Sequence, residues 1–409
     1  MSAFLPYGRQ HIEDDDIEAV AEALRADYLT TGPKVAEFEA ALAKATGARE
    51  AVVCNSGTAA LHLASLALGL GRGDQVIVPT VTFLATANAP HHTGAEVIFA
   101  DVDPGTGLMT ADAFADALAR APRAKAVFPV HLTGQTCDMA AIQELADGRG
   151  VAVVEDACHA LGARDGEGAL VGSCPRSAMT AFSFHPVKAI AMGEGGAVTT
   201  NNARLASACR RMRNHGAERN PSQFTHECAE FAFDADGAAN PWVYEMTAPG
   251  FNYRAPDILC ALGLSQLKKL ERFVARRRAL ATAYDVRLAP LAPAVRPIAR
   301  ALGAESAWHL YALLVDFAAA GVTRRAVMEA MKTDGIGVQV HYVPVHLQPY
   351  YRAKAPDLSL PGAEAYYAAA LSLPIHPGMN VEDVETVLGS LSRALGLSAG
   401  AASRLSGAA

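Results

Sequence analysis

The feature that most constrains this chain is an alternation that runs from residue 51 to residue 155. Short, almost wholly apolar stretches recur at Ala51 to Cys54, Gln75 to Pro79, Ala95 to Val102, Ala124 to Val130 and Val151 to Glu155. Between them lie segments with helical spacing, at Thr58 to Leu68, Thr82 to His92, Ala111 to Arg120 and Met139 to Asp147. Strands without a polar face must be buried on both sides, and interleaved helices supply the cover. The pattern predicts an α/β fold, with a large domain built on a mostly parallel sheet. Such sheets bind ligands at the carboxyl ends of their strands. One more strand is expected to end at Phe184 and another to span Ala197 to Thr200, which makes the sheet seven-stranded.

Outside the alternation, helices are expected at Glu13 to Arg25 and Lys34 to Thr46, the second stopped by Gly47. A basic helix from Asn202 to Asn214 is expected to lead away from the sheet, and Gly216 to Ala248 reads as a loop excursion. One long helix, Asp257 to Leu288, follows Pro256. It leads to a strand at Leu310 to Phe317, a helix at Thr323 to Asp334 and a strand at Gly337 to Val343. The expected organisation is a large domain over 1–256, a linking helix with a smaller α+β domain over 257–397, and a disordered tail over 398–409.

A formal net charge of −7 argues against nucleic-acid binding but leaves room for a locally positive pocket. The N-terminus lacks the basic and apolar regions of a signal peptide, and no apolar run is long enough to span a bilayer. Seven scattered cysteines with no C-x-x-C fit reduced thiols, so a cytoplasmic enzyme without membrane attachment is expected. Histidines without an H-E-x-x-H pattern give no support to a metal site.

Three stations carry candidate chemistry. Asn55-Ser56-Gly57-Thr58 stands between a strand and an Ala-rich helix, where free N–H groups and a close backbone approach suit a phosphate. Ser56 or Thr58 acting only as a helix cap accounts for that motif equally well. Asp156 ends a buried apolar strand, where a carboxylate needs a positive partner. Lys188 follows after Pro186, which disfavours helix at His185, so the lysine is presented on a loop. Ser183 precedes it. Phosphate cup, strand-end aspartate, loop lysine is the chain order that pyridoxal 5'-phosphate requires: a Schiff-base amine and a fixed anion for the ring nitrogen.

Eight motifs then carry a family resemblance from about Phe4 to Leu395: TTGP (Thr30 to Pro33), NSGTAAL (Asn55 to Leu61), PTVTFLATANA (Pro79 to Ala89), EDACHALGA (Glu155 to Ala163), SFHPVK (Ser183 to Lys188), GEGG (Gly193 to Gly196), GFNYR (Gly250 to Arg254) and HYVPVH (His341 to His346). The chain resembles the DegT-type nucleotide-sugar aminotransferases, pyridoxal phosphate enzymes of fold type I. The resemblance implies that Lys188 forms the internal aldimine and shuttles protons. It implies that Asp156 holds the pyridine nitrogen, that His159 lies beside the cofactor, and that Phe83 stacks on its ring. Gly57, Thr58 and Ser183, with Ser56 in the same cup, would bind the phosphate. Asn252 would reach the phosphate of the partner subunit, which makes a homodimer with shared active sites. Tyr7, the loop Asp27, Tyr28, Leu29 and Thr30, and His341 with Tyr342 would line the sugar-nucleotide site.

Relatives that act as dehydratases replace the lysine with histidine, so Lys188 favours transamination. The opening PYGRQHIEDDDIEAV and the SFHPVKAI variant most resemble the aminotransferases of pseudaminic acid biosynthesis. That implies L-glutamate as amino donor and a UDP-linked 4-keto-6-deoxy-N-acetylhexosamine as acceptor, with ping-pong kinetics. A dTDP- or other UDP-keto sugar, aminated at the 3- or 4-position, is the alternative. A nicotinamide-dependent oxidoreductase needs G-x-G-x-x-G after the first strand, and neither NSGTAAL nor GLGRGD (Gly69 to Asp74) fits that context. A non-catalytic regulator is disfavoured because no helix-turn-helix precedes the fold.

Overall fold

The computed structural model describes residues 4–225, 229–301 and 303–397; the expected disordered tail lies outside the described residues. The apolar stretches become strands β1 (Glu50–Cys54), β2 (Gln75–Pro79), β3 (Glu96–Ala100), β4 (Ala124–Val127), β5 (Ala152–Asp156), β6 (Met179–Ser183) and β7 (Gly196–Thr200). They form one sheet of seven in the order β1-β7-β6-β5-β4-β2-β3. Only β7 runs against its neighbours, pairing antiparallel with β1 and β6. The other pairings are parallel. The sheet is therefore the mostly parallel one that the apolar runs predict.

The covering helices are α1 (Asp14–Arg25), α2 (Pro33–Thr46), α3 (Gly57–Ala67), α4 (Leu84–His92), α5 (Ala111–Arg120), α6 (Met139–Asp147) and α7 (Ala203–Arg213). One core, with Val76, Ile77, Phe114 and Ile142, covers β2 on both faces. Another, with Phe38, Leu42, Phe182 and Phe184, gathers α2 and the end of β6. Helix α7 does not lead away from the sheet as expected. It packs on β1, β7 and α3. The cause is its arginines: Arg210 donates to Glu50 at 2.9 Å and to the Ala51 carbonyl at 3.1 Å, and Arg213 reaches Glu39 and the Val53 carbonyl. The excursion after α7 is closed at its ends by a ribbon of β8 (Ala217–Glu218) and β9 (Glu245–Met246) and contains one turn of helix, α8 (Ala229–Ala232).

The expected long helix is two, α9 (Asp257–Leu267) and α10 (Leu270–Leu288). The break falls at Lys269, whose ammonium turns inward to Asp15 at 2.5 Å and Asp16 at 2.8 Å on α1. A small antiparallel sheet follows, β10 (Val295–Pro297), β11 (Tyr311–Val315) and β12 (Ala370–Leu373), in the order β10-β11-β12. Helices α11 (Arg324–Thr333), α12 (Pro349–Arg352), α13 (Pro361–Ala369) and α14 (Val381–Ala394) complete the chain. Leu280, Tyr284, Leu313 and Leu388 sit in the core beneath this sheet.

The strand expected at Gly337 to Val343 is not formed; the segment makes one isolated bridge, Gln339 to Ser372. A strand sends successive side chains to opposite faces. Here Gln339 to Val343 all border one cleft, so the backbone cannot keep a regular pleat.

Candidate active site

The carboxyl ends of β1, β2, β5 and β6 open on one cleft of about 640 Å³. After β1, Ser56 takes an extended conformation and its side chain accepts from the Ala59 N–H at 3.1 Å, capping α3. Ser56 thus caps the helix while it also borders the cleft. It uses one lone pair and leaves the first N–H groups of α3 without intrahelical acceptors. Gly57 is buried against Ser183, the last residue of β6: a Cβ on Gly57 would lie 2.7 Å from the Ser183 Cβ. This contact needs glycine and brings the helix N-terminus onto the serine.

Asp156 is 5% exposed at the end of β5. One carboxylate oxygen accepts from the Thr86 hydroxyl at 2.6 Å, the other from the Cys158 N–H at 3.1 Å. Thr86 is itself paired with Thr82 at 2.7 Å. Among the described residues no cation is ion-paired with Asp156. The carboxylate is thus oriented by neutral donors and keeps its charge for something in the cleft.

Lys188 stands on the loop between β6 and β7, as Pro186 predicts. Burial lowers the affinity of its Nζ for a proton, against the opposing pull of Cys158 and Asp156. Its nearest hydrogen-bonding partner is Nε2 of His309 at 3.5 Å. Burial, then the charge of Lys188, holds His159 and His309 well below the ordinary histidine value and His341 down to about 3. The rings around the amine are therefore neutral. His159 meets the Tyr342 hydroxyl at 3.2 Å, while its buried Nδ1 has no partner. Tyr342 also faces Phe83, ring centroids 6.1 Å apart, and Phe83 is 57% exposed. His341 is anchored by Ser372 at 2.9 Å and packs near Tyr7.

The cleft thus gathers Tyr7, Ser56, Gly57, Thr58, Phe83, Asp156, His159, Ser183, Lys188, His341 and Tyr342. It does not gather Asp27, Tyr28, Leu29, Thr30 or Asn252, which are exposed elsewhere on the chain. Sequence reasoning missed Thr86 and His309. Thr86 lay inside a quoted motif, one helical turn after Thr82. His309 carried no signal, because an isolated histidine ahead of an apolar strand reads as packing. Chemically, the cleft offers a helix terminus for an anion, an oriented carboxylate for a cation, and an amine shielded from water.

Residues 10–392 match the DegT/DnrJ/EryC1/StrS aminotransferase family. The chain is 40% identical over 388 residues to the spore coat polysaccharide biosynthesis protein SpsC of Bacillus subtilis (strain 168), covering 94% of this chain and 95% of that protein. The fold is similar to Helicobacter pylori PseC, an aminotransferase involved in the biosynthesis of pseudoaminic acid, with a TM-score of 0.86, 28% identity, and 96% of this chain and 99% of that one covered. It is also similar to the putative sugar aminotransferase Spr1654 from Streptococcus pneumoniae in its PMP-form, with a TM-score of 0.84, 27% identity, and coverage of 96% and 99%.

Proposed function

The chain belongs to the DegT/DnrJ/EryC1/StrS aminotransferase family, and from that premise we propose that it moves the amino group of L-glutamate to the 4-keto position of a UDP-linked 4-keto-6-deoxy-N-acetylhexosamine, as in pseudaminic acid biosynthesis. That it is a sugar transaminase using pyridoxal 5'-phosphate follows from the family and from its PLP- and PMP-form structural neighbours. The likeness to PseC supports the particular sugar. The higher identity to SpsC favours a second reading, another keto sugar nucleotide aminated by the same machinery.

One observation carries the assignment of the site: the helix N-terminus at Gly57, the Asp156 carboxylate with no bonded cation, and the Lys188 amine all open on one cleft. These residues fit the cofactor. Gly57, Thr58 and Ser183 would hold its phosphate, with Ser56 fixing the helix end beneath. Asp156 would hold the proton on the ring nitrogen, and the Thr86 hydroxyl keeps that carboxylate in line. Phe83, His159 and Tyr342 would cover the ring. When bound, pyridoxal 5'-phosphate supplies the electron sink that lets a proton leave the carbon bearing the amine. Nζ of Lys188 takes that proton and returns it, and burial favours the neutral amine this needs.

Tyr7, His341 and Tyr342 would meet the sugar nucleotide. No arginine is among the described residues that line the cleft, yet the substrates are anionic. Asn252 and the loop from Asp27 to Thr30 are exposed, and Arg254 stands two residues from Asn252. These would serve the cleft of a second copy, in a homodimer with shared sites. A smaller C-terminal domain after residue 256 is part of the proposal; the core beneath the small sheet supports it from Leu280 onward, while α9 packs on α1 and α2. Among the described residues no helix is long and apolar enough to cross a membrane; the cytoplasmic setting is part of the proposal. Purified protein is expected to be yellow, with borohydride fixing the chromophore to Lys188. Product NMR with a panel of UDP- and dTDP-keto sugars and glutamate decides the sugar. A colourless protein that takes up no pyridoxal 5'-phosphate sinks the site reading, and a product aminated away from C4 sinks the substrate.

A further inference from the structure

Lys188 is held from a side that none of these roles uses. His309, 4% exposed, enters from the turn before β11 and places Nε2 3.5 Å from Nζ. Its ring packs on His159 with centroids 4.3 Å apart, and its Nδ1 has no partner. Backbone bonds seat the turn: Ala307 N–H donates to the Gly134 carbonyl at 3.2 Å, and Leu310 N–H to the Thr133 carbonyl at 3.3 Å. Trp308 takes φ 48°, a left-handed conformation that side chains rarely adopt. Gly134 makes the approach possible, since a Cβ there would lie 2.9 Å from both the Trp308 nitrogen and the His159 carbonyl oxygen. The turn that carries His309 is thereby pressed onto the backbone of His159.

Behind it lies Arg277, 1% exposed. Nη1 donates to the carbonyls of Trp308 at 3.3 Å, His309 at 3.2 Å and Ile375 at 2.8 Å. Nη2 donates to the Lys188 carbonyl at 3.4 Å. None of these partners is a carboxylate. A buried cation without a counter-ion is costly, so the position is an expensive one for a residue that only fills space. What it achieves is specific: one side chain grips the backbone at both ends of the Nζ to Nε2 contact.

We propose that His309 is a positioning residue for Lys188, whose neutral imidazole accepts a hydrogen bond from Nζ through Nε2 and so sets the direction and proton affinity of the amine, with Arg277 as the clasp that keeps the two in register. The proposal rests on the reading of Lys188 as the reacting amine. The groups facing that amine are Asp156 at the end of β5 and Cys158 just after it, His159, His309, and His341 from the irregular segment before β12; Arg277 stands behind, and Tyr7, His185, Glu194 and Tyr342 also line the cleft. The three buried imidazoles are neutral. An open Nε2 lone pair therefore favours the ammonium form of Lys188, against burial, which favours the amine. Loss of the acceptor leaves burial unopposed on that side. The midpoint of Lys188 then falls by about half a unit to one unit, the size of an ordinary intramolecular hydrogen bond, since the contact is long at 3.5 Å.

The test uses the full chain freed of cofactor. An amine-specific acylating reagent is applied across pH, and the Lys188 peptide is followed by mass spectrometry. His309→Leu keeps the bulk and removes the acceptor; its midpoint is expected about half a unit to one unit lower, with about three- to tenfold faster labelling on the acid side. His309→Gln retains an acceptor and is expected near wild type. Should His309→Leu not fold, His309→Met replaces it. A Leu or Met variant that matches wild type, shifts upward, or shifts no further than Gln overturns the proposal. Uptake of pyridoxal 5'-phosphate by wild type is scored separately, so its failure counts against the cofactor site and not against this contact.

Discussion

Gly57→Ala tests whether the start of α3 and Ser183 act as one phosphate-holding unit. The new Cβ would stand 2.7 Å from the Ser183 Cβ, 3.1 Å from its Oγ and 3.3 Å from the Cys158 Sγ. Carbon atoms in contact need about 3.5–4.0 Å, so helix and strand must part by about 1 Å. Neither wall yields easily: Gly57 is the buried first residue of α3, and Ser183 is paired with Gly196 in the sheet. Overpacking of this kind costs about 1–3 kcal/mol, and the helix propensity of alanine offsets at most about 1 kcal/mol. Melting is expected to fall by a few degrees. Cofactor affinity is expected to fall further, because the backbone N–H of residue 57 and the Ser183 hydroxyl no longer point at one spot. A lost hydrogen bond to a charged group is worth about 1.5–3 kcal/mol, or about ten- to a hundredfold in Kd. The assay is a visible-absorbance titration of cofactor-free protein with pyridoxal 5'-phosphate, with melting curves alongside. Ser183→Gly removes the atoms that the added methyl group would strike. The double variant should therefore regain most of the melting temperature but not the affinity, since the hydroxyl is gone. A single variant that melts lower yet binds the cofactor like wild type would refute the cup, as would a double variant that recovers both.

Thr86→Val keeps the shape of the side chain and removes the donor 2.6 Å from Asp156; cofactor retention on dialysis is expected to drop by about tenfold or more, with unchanged circular dichroism. Lys188→Ala and Asn252→Asp copies, each inactive alone, are expected to regain roughly a quarter of wild-type activity when co-expressed, because random pairing leaves one intact site in half of the dimers; no recovery speaks against shared sites. Stability should fall in acid through His62, which burial, then His92, lowers to about 4. A histidine with a depressed folded value stabilises fully above its unfolded value near 6.5 and loses that contribution as pH falls towards 4. In urea titrations over that window wild type should lose up to about 1.4 kcal/mol per pH unit more than His62→Phe, and parallel slopes would contradict this.

The parts legible from sequence are those in which one physical cause acts locally. β2 is apolar at nearly every position, and its limits follow from that alone. Lys188 lies on a loop because Pro186 precedes it. The parts missed depend on partners far along the chain. The periodicity of α9 continues smoothly into α10, and only the acidic turn of α1, more than 240 residues earlier, draws Lys269 inward to break it. The stretch from Gln339 to Val343 has the composition of a strand but is bent to the cleft it borders. Arg277 reads as one arginine among several on a basic helix, and nothing near it in sequence says that it is buried under four carbonyls. For the site, the three stations and their order were legible, while Thr86 and His309, which touch Asp156 and Lys188, were visible only once distant elements met.

The reversed strand β7 also bears on when the enzyme becomes competent during synthesis. β1 lies at the sheet edge and, among the described residues, has no strand partner other than β7, with Glu50 opposite Thr200. The chain emerging from the ribosome must therefore carry β1 without a strand partner until β7 has been made. Contacts of such long sequence separation close late. The turn at Ser56 to Thr58 is among the first parts of the catalytic cleft to be translated and among the last to be set in place. Pyridoxal 5'-phosphate that needs this turn can be captured only after Thr200 is free to pair, so a nascent chain arrested before that point would carry Asp156 and Lys188 without a seat for the cofactor.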